Sequence, residues 1–359
     1  MLQRRSSVAI ACVTLLFCSS LVAQKKDEKK QDEAQKKEVQ NLVKLADDAA
    51  AGQGAAPNDL SLAWVREDVL KAQGNKQYIP FIVTVDPAKV TTGNLAFYWR
   101  VISKNAQPTA TTGEANGQKD NKDKDKDKDK DKKKSDYAYE DVAFIPVTTG
   151  QPGPMRIARS FTVGAGAYDV VLIAKEFGAQ AQKNGPPAKT AILKQTISVP
   201  DFWNGELNTS SVIIAQRIDP LPAPLTPQQQ ADRPYALGQM EIVPQVDMAF
   251  SKKQELSTFM LVYNPKTDSA NKPDVVVEYN FHTKSGNDWK FFNKTNPQNL
   301  NAQTLPPQFD LAAGHQLQSG QAVPLASFPE GEYKLEIKVT DKVANKTLTR
   351  DVFFTVTAS

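Results

Sequence analysis

The stretch GEYKLEIKVTDK (331–342) decides the architecture. Tyr333, Leu335, Ile337 and Val339 are apolar, while Glu332, Lys334, Glu336 and Lys338 between them are charged. That period of two makes a strand with one face in a core and the other in water. GAYDVVLIAK (166–175) opens with the same Gly, any residue, Tyr pattern, and each stretch is followed by a similar one, KTAILKQTISV (189–199) and KTLTRDVFFTV (346–356). Further upstream, PFIVTVDP (80–87) answers TFMLVYNP (258–265), and YWRVISK (98–104) answers EYNFHTK (278–284). Four blocks repeated in one order indicate a tandem duplication.

Val275, Val277, Tyr279 and Phe281 alternate in the same way, as expected of an antiparallel sheet wetted on one side. In the first copy Val171 and Ile173 are apolar as well as Tyr168, Val170 and Leu172, so that strand is apolar on both faces. Its second face is covered by the partner domain or another chain, or the strand is simply central in its sheet. With the segment 105–136 set aside, residues 60–199 match residues 237–359 in size, and each comes close to the ~100 residues of a seven-stranded sandwich. The Gly-x-Tyr opening of the penultimate strand resembles the end of immunoglobulin-like and fibronectin-like domains. That resemblance makes Tyr168 and Tyr333 structural, each packed at a corner with its hydroxyl on backbone, and Trp99 a core aromatic; the antibody disulfide has no counterpart. The expected fold is therefore all-β, two tandem immunoglobulin/fibronectin-like antiparallel β-sandwiches at 60–199 and 237–359, with a disordered N-terminal tail and a disordered Lys/Asp-rich loop insertion.

Between the copies, residues 200–236 hold five prolines from Pro220 to Pro234, which favour extended chain without ladder hydrogen bonds. Residues 211–215 are apolar enough for one short strand in this linker. PDFWNGEL (200–207) and SSVIIA (210–215), with LPPQFDLAAGHQL (305–317) and FPEGEYKLEIKVTDK (328–342), resemble uncharacterised secreted acidobacterial proteins, some of which also carry a GWxTD domain. The similarity covers most of residues 60–359, without the GWxTD motif itself. It implies export and sandwich domains, and no activity.

Residues 1–23 read as an export signal, with Arg4 and Arg5 ahead of an apolar run from Val8 to Phe17 and Ala23 as the small residue before the cut. Both cysteines, Cys12 and Cys18, lie in this leader, so the mature chain has no thiol and no disulfide. A lipidated Cys18 competes with this reading, but Phe17 stands where lipoprotein signals have Gly or Ala. After cleavage no stretch approaches the ~20 apolar residues of a membrane span. Residues 24–59 read as a charged tether: KKDEKKQDEAQKKE (25–38) has six Lys against five acids and only Ala34 apolar. One short amphipathic helix is expected at most, using Val39, Leu42, Val43 and Ala46. The insertion 105–136 contains KDKDKDKDKDKDKKK and falls where the second copy has only SGNDW (285–289), a hairpin tip where extra chain costs little. Its alternating Asp residues lack the glycine and net negative charge of a calcium loop, so no metal is expected there.

Lys plus Arg number 44 against 40 acids, a balance that excludes a dedicated nucleic-acid binder. GxSxG, HExxH, Walker and GxGxxG motifs are absent. The two histidines, His282 and His315, belong to no motif. No catalytic residue, metal or cofactor is therefore expected. The candidate binding residues are aromatic: Phe202 and Trp203 in the linker, and Trp289, Phe291 and Phe292 after the short hairpin, since loop aromatics bring large apolar area at low entropic cost. Packing between sheets or domains is the competing use of the same residues. The functional expectation is a non-catalytic exported envelope protein, periplasmic or extracellular, that binds or spaces another envelope protein or a polysaccharide. The alternative is a carbohydrate-binding or hydrolase-accessory module.

Overall fold

The computed structural model describes residues 17–53, 56–104, 137–148, 153–178 and 187–358, with side chains placed from residue 32 onward. The insertion 105–136, its calcium-like run and the first sixteen residues of the expected leader lie outside them. The described residues begin with helix α1 (Phe17–Ala50). Then come β1 (Ala63–Glu67), β2 (Leu70–Lys71), β3 (Gln77–Val85), β4 (Asn94–Ser103), β5 (Tyr139–Pro146), β6 (Met155–Val163), β7 (Gly166–Glu176) and β8 (Thr190–Val199). β3 carries β1 and β2 on one edge and β6 on the other, and the facing sheet runs β5-β4-β7-β8. This is the first antiparallel sandwich, one four-stranded sheet against another. Phe81, Trp99, Phe161 and Leu172 fill its core, with Trp99 donating its indole N–H to Ser160 O at 3.2 Å.

The second sandwich starts inside the expected linker. β9 (Asn208–Thr209), β10 (Ile213–Pro220), α2 (Pro227–Asp232) and β11 (Ala236–Leu237) precede β12 (Met240–Pro244), β13 (Ala249–Ser251) and β14 (Glu255–Tyr263). β15 (Val275–Ser285), β16 (Asp288–Lys294), β17 (Gln298–Leu300), β18 (Leu317–Ser319), β19 (Ala322–Pro324), β20 (Gly331–Asp341) and β21 (Lys346–Thr357) complete it. β10 pairs with β14 through Ile213, Ile214 and Ala215, so this part of the linker is an integral strand. One sheet runs β11-β12-β10-β14-β18 and the other β13-β21-β20-β15-β16. The repeat is borne by position: β3, β4, β7 and β8 of the first unit correspond to β14, β15, β20 and β21 of the second. Both corner tyrosines are closed, Tyr168 Oη onto Gly164 O at 3.1 Å and Tyr333 Oη onto Pro329 O at 2.7 Å.

The expected tether is instead a long helix whose C-terminal half docks. Lys, Glu, Gln and Ala are strong helix formers, and opposite charges recur four apart, as in Asp32 with Lys36 and Glu33 with Lys37. Leu42 and Ala46 are fully buried against Ala96, Tyr98, Val171 and Ile173 on the outer face of β4 and β7. That contact accounts for the strand that is apolar on both sides: its second face is roofed by a helix of the same chain, not by the other domain or another molecule. Two charge pairs flank the apolar stripe, Lys175 with Glu38 at 2.6 Å and Arg100 with Asp47 at 2.5 Å. Arg100 is itself buried, donating also to Tyr98 Oη at 2.8 Å, with its guanidinium 3.9 Å from the Tyr137 ring centre.

A third apolar core joins the two sandwiches. Leu70 and Ile82 from the first, Phe259, Leu261 and Tyr263 from the second, and Phe202 and Tyr235 from the linker form it. Asp68, nearly inaccessible, accepts a bidentate pair from Arg66 (2.9 and 2.6 Å) and the Tyr235 hydroxyl (2.8 Å), while Arg66 reaches Gln245 O at 3.1 Å. Burial, with the Asp68 charge adding to it, pushes the Tyr235 hydroxyl well above the usual tyrosine range, so it stays a proton donor. The layers therefore stack in the order helix, sheet, sheet, sheet, sheet, with apolar side chains at every contact.

Candidate functional site

The five candidate aromatics do not gather into one site. Phe202 is 1% exposed, its ring 4.9 Å from that of Tyr263 in the inter-sandwich core. Phe292 points inward from β16, with ring distances of 5.1 Å to Phe328 and 5.6 Å to Tyr333. These two are packing residues, which corrects their reading as binding aromatics: each sits where two sheets need an aromatic wedge.

Trp289 and Phe291 lie on the outer face of the second sandwich. Phe291 is 61% exposed, edge-on to His282 at 6.0 Å. Trp289 reaches across the sheet to Phe353, at 5.5 Å with ring planes crossing at 50°. Phe353, 55% exposed, is the residue the sequence reading missed. Its signal is the broken alternation in VFF (352–354), where Val352 and Phe354 face the core and the middle ring must face out. Lys284 with Glu332 at 2.5 Å and Lys334 with Asp351 at 3.6 Å border these rings. Tilted rings beside neutralised charges give no flat, coplanar row for a sugar chain.

Trp203 stands elsewhere, in a cleft of about 550 Å³ where the turn after β2, the linker, the end of β14 and the loop before β18 meet. Its side chain is held by donation of the indole N–H to Lys76 O at 3.1 Å, and 40% of the residue remains exposed. The Lys71 ammonium lies 4.3 Å from the Trp203 ring centre and 6.0 Å from that of Tyr263, and donates to Asn264 Oδ1 at 2.9 Å. Asn264 is oriented in turn by donating to Phe202 O at 3.0 Å and Glu206 O at 2.9 Å. Burial raises the Tyr263 hydroxyl to about 12, so it keeps its proton, and its oxygen accepts the Lys71 N–H at 3.0 Å. Desolvation holds Lys71 below its ordinary value against the opposing pull of Asp201. His315 also lines the cleft; its Nδ1 accepts from the Asp310 N–H at 3.0 Å.

The two histidines are thus on different surfaces, His282 on β15 and His315 at the cleft. Among the described residues no group of three or more His, Cys, Asp or Glu is placed to hold a metal ion, and no helix is long and apolar enough to cross a membrane.

No protein-family model matches the chain, and no curated protein matches it. Among solved structures it is similar to trypsin-activated alpha-2-macroglobulin from Escherichia coli, at 10% identity and TM-score 0.22 over 85% of this chain and 17% of that one. A mutant Salmonella alpha-2-macroglobulin gives 10% identity and TM-score 0.19 over 84% and 17%. The native conformation of the Escherichia coli protein gives 10% identity and TM-score 0.20 over 85% and 16%. The chain spans less than a fifth of those proteins, and likenesses this distant say nothing of what it does.

Proposed function

We propose that the chain is an exported envelope protein that acts without catalysis, holding and spacing a partner through its paired sandwiches. The observation that carries this reading is the inter-sandwich core, in which Phe202 and Tyr235 of the linker are gripped between two sheets. A linker so buried makes one stiff body, where a flexible joint would leave two independent modules. Export rests on the leader-like first 23 residues. Cell fractionation with intact-mass analysis tests it: the protein is expected outside the cytoplasm and beginning at Gln24, and a full-length form confined to the cytoplasm would refute export. Small-angle scattering of the same material is expected to report one rigid particle; two freely rotating bodies would refute the spacer role.

The second reading, a carbohydrate-binding or hydrolase-accessory module, is favoured by one observation, the fixed and half-exposed indole of Trp203 in the cleft.

A further inference from the structure

We propose that the cleft between the sandwiches is a ligand site and that it takes a saccharide bearing a carboxylate. The proposal rests on the second reading above and gives it a place and a chemistry.

Three features of the cleft carry it. The first is a fixed indole: Trp203 is locked by its bond to Lys76 O, with the Lys71 ammonium over one face of the ring at 4.3 Å and 40% of the residue exposed, so a sugar ring can stack on the exposed part without rearrangement of the side chain. The second is a positioned cation with no described carboxylate in contact, Asp201 acting on it only from beyond ion-pair distance. Lys71 Nζ spends one of its three donors on Asn264 Oδ1, and among the described residues no carboxylate comes within 4.0 Å of it. Asn264 has no freedom to turn away, because both of its amide hydrogens are engaged by backbone carbonyls. Two ammonium hydrogens therefore remain for a ligand oxygen beside the aromatic face. The third is a rim of exposed amides, Gln73 and Gln316, suited to sugar hydroxyls. The volume falls within the range of small-molecule sites, and the position between domains is where such sites concentrate.

The same geometry disfavours a peptide. An extended peptide needs a free strand edge. β14, the strand that ends at the cleft, is paired on one side with β9 and β10 and on the other with β18 and β19, and the Lys71 N–H is taken by Tyr263.

Isothermal titration calorimetry of the full chain tests the proposal, with short oligogalacturonates, neutral galacto-oligosaccharides and an acidic peptide as probes. Oligogalacturonate is expected to bind, with the neutral sugar weaker by about tenfold or more. Lys71→Met keeps the apolar stem and should bring the uronate down to the neutral sugar. Trp203→Ala should weaken both sugars, and Phe291→Ala, on the remote outer face, should change neither. A Trp289→Phe background leaves Trp203 as the most exposed described tryptophan, and there oligogalacturonate should shield the emission from iodide without any change at the cleft itself. Equal binding of both sugars, an unchanged uronate affinity in Lys71→Met, or acidic peptide bound as well as uronate would each overturn the carboxylate assignment. Silence with every sugar, while scattering still reports one rigid particle, would remove the saccharide site and leave the spacer reading standing.

Discussion

Tyr168 and Tyr333 occupy equivalent positions in the two copies, and the glycine two residues before each explains why the motif repeats. Gly166 and Gly331 have φ of 151° and 149°, backbone that side-chain-bearing residues rarely adopt, and this turns the chain so that the tyrosine can reach back four residues. Removing only the hydroxyl, as in Tyr333→Phe, strands the Pro329 carbonyl and is expected to cost roughly 1 kcal/mol in urea unfolding. Gly320 answers to a different constraint, since a Cβ there would stand 2.3 Å from Thr258 O. Gly320→Ala must displace backbone and should cost about 1–3 kcal/mol by the same measurement. Glu176 supplies a pH test. Burial alone would raise its carboxyl, but the Thr91 N–H (2.6 Å), the Thr91 hydroxyl (2.8 Å) and the Lys189 N–H (3.1 Å) outweigh that and hold it below the usual range. A depressed carboxylate contributes stability that is complete above the unfolded value of about 4.3 and is lost as pH falls through the lower folded value. The advantage of the natural protein over Glu176→Gln, followed by thermal unfolding, should therefore shrink as pH drops below about 4.

Among the elements, α1 departs most from what its composition suggests. Its Lys- and Glu-rich run cannot bury a core, which is what a tether reading registers, yet the docking half needs only Leu42 and Ala46 at full burial with Val43, Leu45 and Ala49 beside them. Leu42→Ala is expected to destabilise the first sandwich by about 2–4 kcal/mol, because the cavity opens against a rigid sheet. A chain starting at Gly52 should expose Tyr98, Val171 and Ile173 and self-associate in analytical ultracentrifugation. The clue was in the strand, not the helix: Val171 and Ile173 announced a covered second face, while nothing in the period of the strand names its cover. The strands themselves were legible, because a period of two in residues 331–342 leaves one choice of face. The aromatics were not, since Phe202 and Trp203 are neighbours in sequence and only packing decides that one is sealed at 1% exposure and the other open at 40%. The cleft draws on Lys71, Trp203 and Asn264, which no local pattern links.

In the molecule as one body, the matching runs PFIVTVDP (80–87) and TFMLVYNP (258–265) are both nearly continuously apolar. A run of this kind is what a strand buried on both faces requires. β3 turns Ile79, Phe81 and Val83 into its own sandwich and Ile82 outward, and β14 turns Met260 and Val262 inward and Phe259, Leu261 and Tyr263 outward. The outward sets meet, so the duplicated strands pack the two copies together. Thermodynamic coupling should follow. Phe202 and Tyr235 bridge that contact, and Tyr235 also satisfies Asp68, whose charge is buried with Arg66. Scanning calorimetry of the natural chain should give one transition with matching calorimetric and van't Hoff enthalpies. Phe202→Ala together with Tyr235→Ala opens the apolar contact and leaves one Asp68 oxygen short of a donor, at a cost of about 3–5 kcal/mol for the ring lost at Phe202 alone. The interface is then weaker than either internal core, and the single peak should divide in two. If the doubly substituted protein still melts in one matched transition, the sandwiches are coupled by something other than the linker held between them.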